Sequence, residues 1–591
     1  MKTLKSVVKP LTLSSLLLST TFASAFSAQA GDWIVGAGMY DITGPAADRG
    51  MVGYGDLDQT TQGIATRLWS RAFTIGSPQS NDFVVFVSAD LQSIPQGVHQ
   101  GVMAKIAANR TLSPFLNEKN VMLTATHTHV GPGGYDHTVM LNLSALGYDE
   151  DNYEVIVDGI YQSIVKAFDT RASGNIEFAQ GKLTNASINR NKSIYAFNED
   201  KDDYDTDVND TMTLLKLTKD DGSEIGMINW FAVHNVSKQQ TYRYISGDNK
   251  GMASQLFETS KGSQPPLNMG FVAAFANSDE GDVSPNVCGP QDGCADNDHD
   301  NVMLSATKQY DMALSLYNNP SKSLSGELDY RFQYVTMHDY PVTQQFTHSG
   351  KAAPLCHATV GWSFTAGAEW DGPSDMKGIF EGMTQDNEGT AWNKSGSLIG
   401  NILSGYPLLG MLEVFSDVAV GSDRYEACQY PKPTFLNSEL TNGIDLYVDT
   451  LPFQLFRIGE LALVGVPSEM TTMSGRRLRN DVLSALEASG VKHVVIAGLA
   501  NAYSGYVTTN EEYDQQYYEG AHTLFGPNTL AAYRQIFTGL AESMADETQV
   551  NTGQTPINRK DDQLINTIGV VYDDKRFWES FGQVTKDVSS S

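Results

Sequence analysis

His127 and His129 stand two residues apart in "ATHTHVGPGGY" (125–135), in a chain of 591 residues that has only 11 histidines. Two imidazoles that reach one point can hold a metal ion, or one can hold it while the other moves a proton beside it. If the apolar run before them is a strand, residues i and i+2 share a face, and the glycines of "GPGG" let backbone come close to a ligand. Taken alone, the pair has an ordinary alternative: two hydrogen-bonded structural histidines. The surrounding sequence favours chemistry. "NWFAVHNVS" puts His234 at the end of another apolar run, and "GVPSEMTT" puts Glu469 in the same place after a third. Two imidazoles and a carboxylate are the ligand set of an open catalytic zinc site, which leaves a position for water. "NSDEGDVSPN" (277–286) carries Ser284 in a turn that does not match G-x-S-x-G, so an α/β-hydrolase triad is not indicated.

Side chains so far apart in sequence must be presented by a common framework. "DFVVFVSADL" (82–91), "NVMLTATHTH" (120–129), "EIGMINWFAVH" (224–234) and "NMGFVAAFAN" (268–277) read as buried strands, rich in Val, Ile and Phe and bounded by polar or glycine segments. "LALVGVPSE" (461–469), an amphipathic helix over 470–490 ending at Gly490, and "HVVIAGLAN" (493–501) make a βαβ unit. The fold class is therefore α/β, with a mixed, partly parallel sheet covered by helices. Ligands gather at the carboxyl ends of strands in such sheets, where His127, His129, His234, Glu469 and Tyr506 all fall. No period of 20 to 50 residues argues for a solenoid or propeller. Residues 371–407, glycine-rich and polar with apolar patches, read as an insertion that caps a cleft.

The composition limits the partners. A net charge of −29 repels phosphate backbones and anionic headgroups, which argues against nucleic acid and says nothing against a neutral lipid. Residues 1–30 have Lys2, Lys5 and Lys9, an apolar run, small residues before Gly31 and no acid, the pattern of a secretory signal peptide cut after Ala30, with Ala25 the competing site. No later segment is long and apolar enough to span a membrane. The chain is therefore expected to be secreted or periplasmic. Its four cysteines then suggest two disulfides; of three possible pairings, Cys288 with Cys294 and Cys356 with Cys428 is favoured, and the lack of a CxxC argues against a cysteine zinc site. Asp292, Asp296, Asp298 and Asp300 offer oxygen ligands for a structural Ca2+ or Mg2+, with a solvated acidic loop as the alternative.

Together these stretches resemble the neutral/alkaline non-lysosomal ceramidase family. The resemblance begins at "DITGPAADRGMVGYGDLDQTTQGIATRLWSRAF" (41–73) and continues through "ATHTHVGPGGY", "INRNKS" (188–193), "NWFAVH", "SGDNKGMAS" (246–254) and "FVAAFANSDEGDVSPN" (271–286). It resumes at "GWSFTAGAEWDGP" (361–373), "YPKPTFL" (430–436), "GVPSEMTTMSGRRLR" (465–479) and "GLANAYSGYVTTNEEYDQQYYEGAHTLFGP" (498–527).

The resemblance implies hydrolysis of the N-acyl amide of ceramide to sphingosine and a fatty acid by zinc-activated water, with one catalytic Zn2+ and peripheral contact with lipid surfaces. Carried over position by position, His127, His234, Glu469 and Tyr506 become metal ligands and His129 the proton-transfer residue. Arg190 and Tyr518 become donors to the oxyanion or the polar head, and Ser284 a required residue that is either nucleophile or binder. The alternatives are an amidase for another N-acyl lipid or N-acyl amino acid, and an inactive lipid-binding protein. The resemblance also implies a catalytic domain over 31–562, and only the start, 563–591, of the family's C-terminal Ig-like β-sandwich. The acidic residues before Ser284 depart from the family's turn and are expected to alter substrate contacts.

Overall fold

The computed structural model describes residues 31–145, 147–374, 379–387, 427–437 and 447–563. The expected signal peptide, most of the expected insertion and all but the first residue of 563–591 lie outside the described residues.

Nine strands form the larger sheet: β1 (Trp33–Asp41), β2 (Trp69–Gly76), β3 (Phe83–Ala89), β4 (Val121–Ala125), β5 (Ala172–Lys182), β6 (Thr211–Lys219), β7 (Glu224–Trp230), β8 (Val272–Ala276) and β9 (Lys322–Ser323). Its path runs β8-β7-β6-β5-β1-β2-β3-β4, with β9 laid on β5. Only β7/β8 and β3/β4, at the two ends of the path, pair in parallel. The sheet curls until these ends meet: the Asn277 side chain, just past β8, donates to the carbonyl of Thr126, just past β4, at 3.2 Å.

A second sheet, absent from the sequence reading as a separate layer, contains β10 (Leu328–Thr336), β11 (Thr450–Ile458), β12 (Leu461–Gly465) and β13 (His493–Ala497) in that spatial order. The expected βαβ unit is its parallel part, with Leu461 opposite His493. The connecting helix, Thr472–Leu486, buries Leu478, Val482 and Leu486. A short 3₁₀ turn then ends at Gly490, whose φ of 97° is a left-handed value that glycine adopts without cost.

The apolar runs are continuous because both faces of their strands are covered. Val85 and Val87 of β3 face Val98 and Val102 of the helix Gln96–Ala108 and Ile160 of the helix Glu150–Asp169. The alternate residues Val84 and Phe86 join one cluster with Phe456, Leu463 and Val495 of the second sheet. Two sheets thus pack face to face with helices outside both. Phe86→Ala, by opening that shared layer, would cost about 3–5 kcal/mol. The disulfides are Cys288–Cys294 and Cys356–Cys428. No helix among the described residues is long and apolar enough to cross a membrane.

Candidate metal centre

His127 and His129 do meet, but not by strand alternation. Strand β4 ends at Ala125, and His127 has φ 72°, in the left-handed region that a non-glycine residue enters at a cost of order 1–3 kcal/mol. The amides of His127 and Thr128 both donate to the Leu91 carbonyl, at 2.8 and 3.1 Å, which fixes the turn. The sequence has no strong marker for it, since a left-handed residue is usually signalled by glycine or asparagine.

The turn brings His127 Nε2 to 3.1 Å from His129 Nε2. The ring nitrogens of His127, His129 and His234 lie within 4.8 Å of one another, all three residues buried, a group able to hold a metal ion. His234 follows β7, and Glu469 begins the bridge Glu469–Met470, which pairs in parallel with Tyr506–Val507. Glu469 Oε2 is 3.1 Å from the Nε2 atoms of both His127 and His234. The Tyr506 hydroxyl is 3.3 Å from His234 Nε2.

Backbone carbonyls orient the two outer rings. His127 Nδ1 meets Gln92 O and His234 Nδ1 meets Glu280 O, each at 2.7 Å. A carbonyl only accepts, so each ring donates from Nδ1 and, when neutral, offers a lone pair from Nε2. Burial pushes His234 down to about 4, so it is neutral at pH 7. Its lone pair then faces the buried Glu469 carboxylate. Glu469 Oε2 is buried without a hydrogen-bond partner. Nitrogen and carboxylate lone pairs crowded together with no hydrogen between them fit a divalent cation.

His129 is pushed well below its usual pKa, first by burial and then by the two other histidines. Its ring packs edge-on to Tyr54 at 4.8 Å and lies on Gly53, where a Cβ would come within 2.4 Å of the ring and where φ is 132°. Only glycine permits that approach.

Arg190, Ser284 and Tyr518 come to the same region. Arg190 is buried, with Nε 2.8 Å from Glu519 Oε1 and Nη1 3.0 Å from Asp371 Oδ2. Its Nη2 donates to Gly281 O at 2.7 Å and to the Tyr506 hydroxyl at 3.2 Å. The Tyr518 ring stacks on Phe364 at 5.2 Å and meets Tyr506 edge-on at 5.5 Å. Ser284 donates to Asp371 Oδ1 at 2.5 Å. Sequence reasoning did not single out Asp371, Glu519 or Tyr503, whose hydroxyl donates to Glu469 Oε1 at 2.7 Å. Each stands in a quoted stretch, but nothing in residue type alone separates these partners from ordinary surface groups.

Two of the acidic residues before Ser284 are paired within the fold. Asp279 pairs with Arg479 at 2.8 Å, and Asp282 accepts from the amide of Thr472 at the start of a helix at 2.7 Å. Glu280 is buried, and its pKa is raised well above the ordinary value, chiefly by that burial. The aspartates of 292–300 serve local structure. Asp292 accepts from the Cys294 amide and Asp298 opens the helix Asp298–Asn318; among the described residues they form no three-ligand group.

The fold and site define a class: an α/β enzyme with a buried histidine and carboxylate centre at the carboxyl ends of its strands. The profile described as neutral/alkaline non-lysosomal ceramidase, N-terminal, matches residues 33–535. The neutral ceramidase of Pseudomonas aeruginosa is 38% identical over 591 residues, covering 99% of this chain and 83% of that protein. Neutral ceramidase A of Dictyostelium discoideum is 36% identical, covering 99% and 84%. A solved structure described as ceramidase complexed with C2 superposes with a TM-score of 0.82 at 38% identity, over 94% of this chain and 82% of that one. The chain belongs to the neutral/alkaline non-lysosomal ceramidase family and is an enzyme of that class.

Proposed function

We propose that this protein hydrolyses the N-acyl amide of ceramide, releasing sphingosine and a fatty acid, with one zinc ion held by His127, His234, Glu469 and Tyr506. The observation that carries the metal assignment is Glu469 Oε2, buried without a hydrogen-bond donor 3.1 Å from two imidazole nitrogens. When bound, zinc would supply Lewis acidity and lower the pKa of a water to about 7.

The side chains supply the rest. An amide is a poor electrophile and its nitrogen a poor leaving group, so a proton must be taken from the attacking water and given to the departing amine. His129 is the residue for both steps: it is neutral and buried, with Nε2 directed at His127 and Nδ1 lacking a hydrogen-bond partner. Arg190 keeps its charge, since Glu519, Tyr506 and Asp371 outweigh a burial that would lower its pKa, and it can donate to the developing oxyanion. Tyr518 lies beside it, with the Arg190 guanidinium carbon 5.5 Å from its ring, and orients the polar head of the substrate.

Secretion through the leader 1–30 and contact with a lipid surface complete the proposal. The test is sphingosine release from a fluorescent-acyl ceramide, with zinc counted by elemental analysis in the same preparation and a chelated control. Turnover that disappears on chelation and returns with zinc supports the proposal. Zinc near one per chain without turnover points to another acyl amide as substrate.

A further inference from the structure

We infer that Asp371 is a positioning residue for Arg190, and that Ser284 acts through it: Ser284 fixes the carboxylate, which fixes the guanidinium. This rests on the ceramide-hydrolase proposal for its kinetic readout, though not for its geometry.

Ser284 is fully buried, and its hydroxyl proton is already committed to Asp371 Oδ1 at 2.5 Å. Its oxygen accepts the Asn286 amide at 3.0 Å. No histidine is among its hydrogen-bond partners in the described residues, so the histidine base of a serine triad is not in place. Asp371 is 4% exposed and well satisfied. Oδ1 accepts from Ser284 and, at 2.9 Å, from the Asn286 amide group, while Oδ2 faces Arg190 Nη1 at 3.0 Å.

A guanidinium has five N–H groups in one rigid plane. Arg190 uses Nε on Glu519, one Nη1 hydrogen on Asp371 and both Nη2 hydrogens on Gly281 and Tyr506. One Nη1 hydrogen is left over. The fork is planar, so the bonds at Nε and Nη2 set its plane, and Asp371 at Nη1 steadies the edge that carries the remaining N–H, the one free to meet substrate. Without Asp371 the plane would be held from the Nε and Nη2 side alone, so the same hydrogen would be aimed less tightly, and the charge would remain.

The test is a double-mutant cycle of Ser284→Ala and Asp371→Asn on the zinc-loaded enzyme. Each single variant is expected to lower kcat by about 10²–10³-fold, the loss typical of one misplaced oxyanion donor, with KM and zinc content little changed. The double variant should lose no more than Asp371→Asn alone, because the two act as one unit. Losses that multiply, or a fatty-acyl group trapped on Ser284, would overturn the inference. Full activity of Asp371→Asn would do the same. A wild type without turnover would instead refute the ceramide proposal. In that case NMR of protein carrying ¹⁵N-arginine, assigned with Arg190→Lys, decides the geometry. Exchange between the two Nη signals of Arg190 should be faster in Asp371→Asn, and signals and exchange unchanged by that substitution would sink the inference.

Discussion

His127 Nε2 and Glu469 Oε2 stand 3.1 Å apart, both buried, on a histidine turned out by a left-handed backbone and a glutamate from the second sheet's loop. Removing either should remove the metal. His127→Ala and Glu469→Ala are expected to lose stoichiometric zinc and turnover together, whereas Ser284→Ala should keep zinc while losing turnover. Elemental analysis alongside the ceramide assay checks this, and a fully metallated Glu469→Ala would exclude that residue as a ligand.

Gly53→Ala separates proton transfer from metal binding. The added methyl meets the His129 ring at 2.4 Å, so the ring must move while His127, His234 and Glu469 stay. Activity should fall by about 10²–10⁴-fold, the range for loss of a general base or acid, with zinc retained. Near-wild-type kcat would mean that His129 is not the proton carrier.

The strand runs, the βαβ unit and the carboxyl-end location of the site were legible because buried strands write long apolar runs and helices write amphipathic ones. The second sheet as a stacked layer was not, since Val84 and Phe86 face another sheet as readily as a helix in a one-dimensional pattern. The reason the two histidines meet was not legible either. Alternation along a strand predicts a shared face, but the strand stops at Ala125, and hydrogen bonds to Leu91 impose the turn from outside the motif. Asp371 escaped notice for the same reason: its role depends on Arg190 and Ser284, each many residues away, and its own neighbourhood carries no periodic signal.

Asp136 should impose a pH-dependent stability. Burial raises its pKa from 3.8 to about 6, with Thr138 and nearby amides partly opposing. The folded state therefore binds the proton more tightly than the unfolded chain, so this group's contribution to stability is fullest below pH 3.8 and is lost as pH rises through about 6. Asp136→Asn should flatten that part of the profile by up to about 3 kcal/mol. Denaturant midpoints between pH 4 and 7 for both proteins provide the check, and parallel profiles would count against it.

The Cys356–Cys428 bond closes a loop of 72 residues. Replacing both cysteines with alanine should cost about 2–5 kcal/mol, mostly by freeing the unfolded chain. Thermal unfolding under non-reducing conditions would show it as a lower midpoint, and an unchanged midpoint would mean that packing alone holds the segment.

The sheet that curls until Asn277 meets Thr126 has a bearing on the order of assembly. His127 follows one end strand and His234 lies beyond the neighbour of the other, while Glu469 comes from a different sheet. Their meeting requires nearly the whole chain to have found its place. Contacts of such long range form late, after the entropy of closing large loops has been overcome. Metal uptake should thus be among the last events in folding, and the bound ion should act as a clasp across the seam. Stripping it would loosen the junction between the two ends before it disturbed either layer's interior, so amides near Thr126, Asn277 and Val507 are where hydrogen exchange should first quicken.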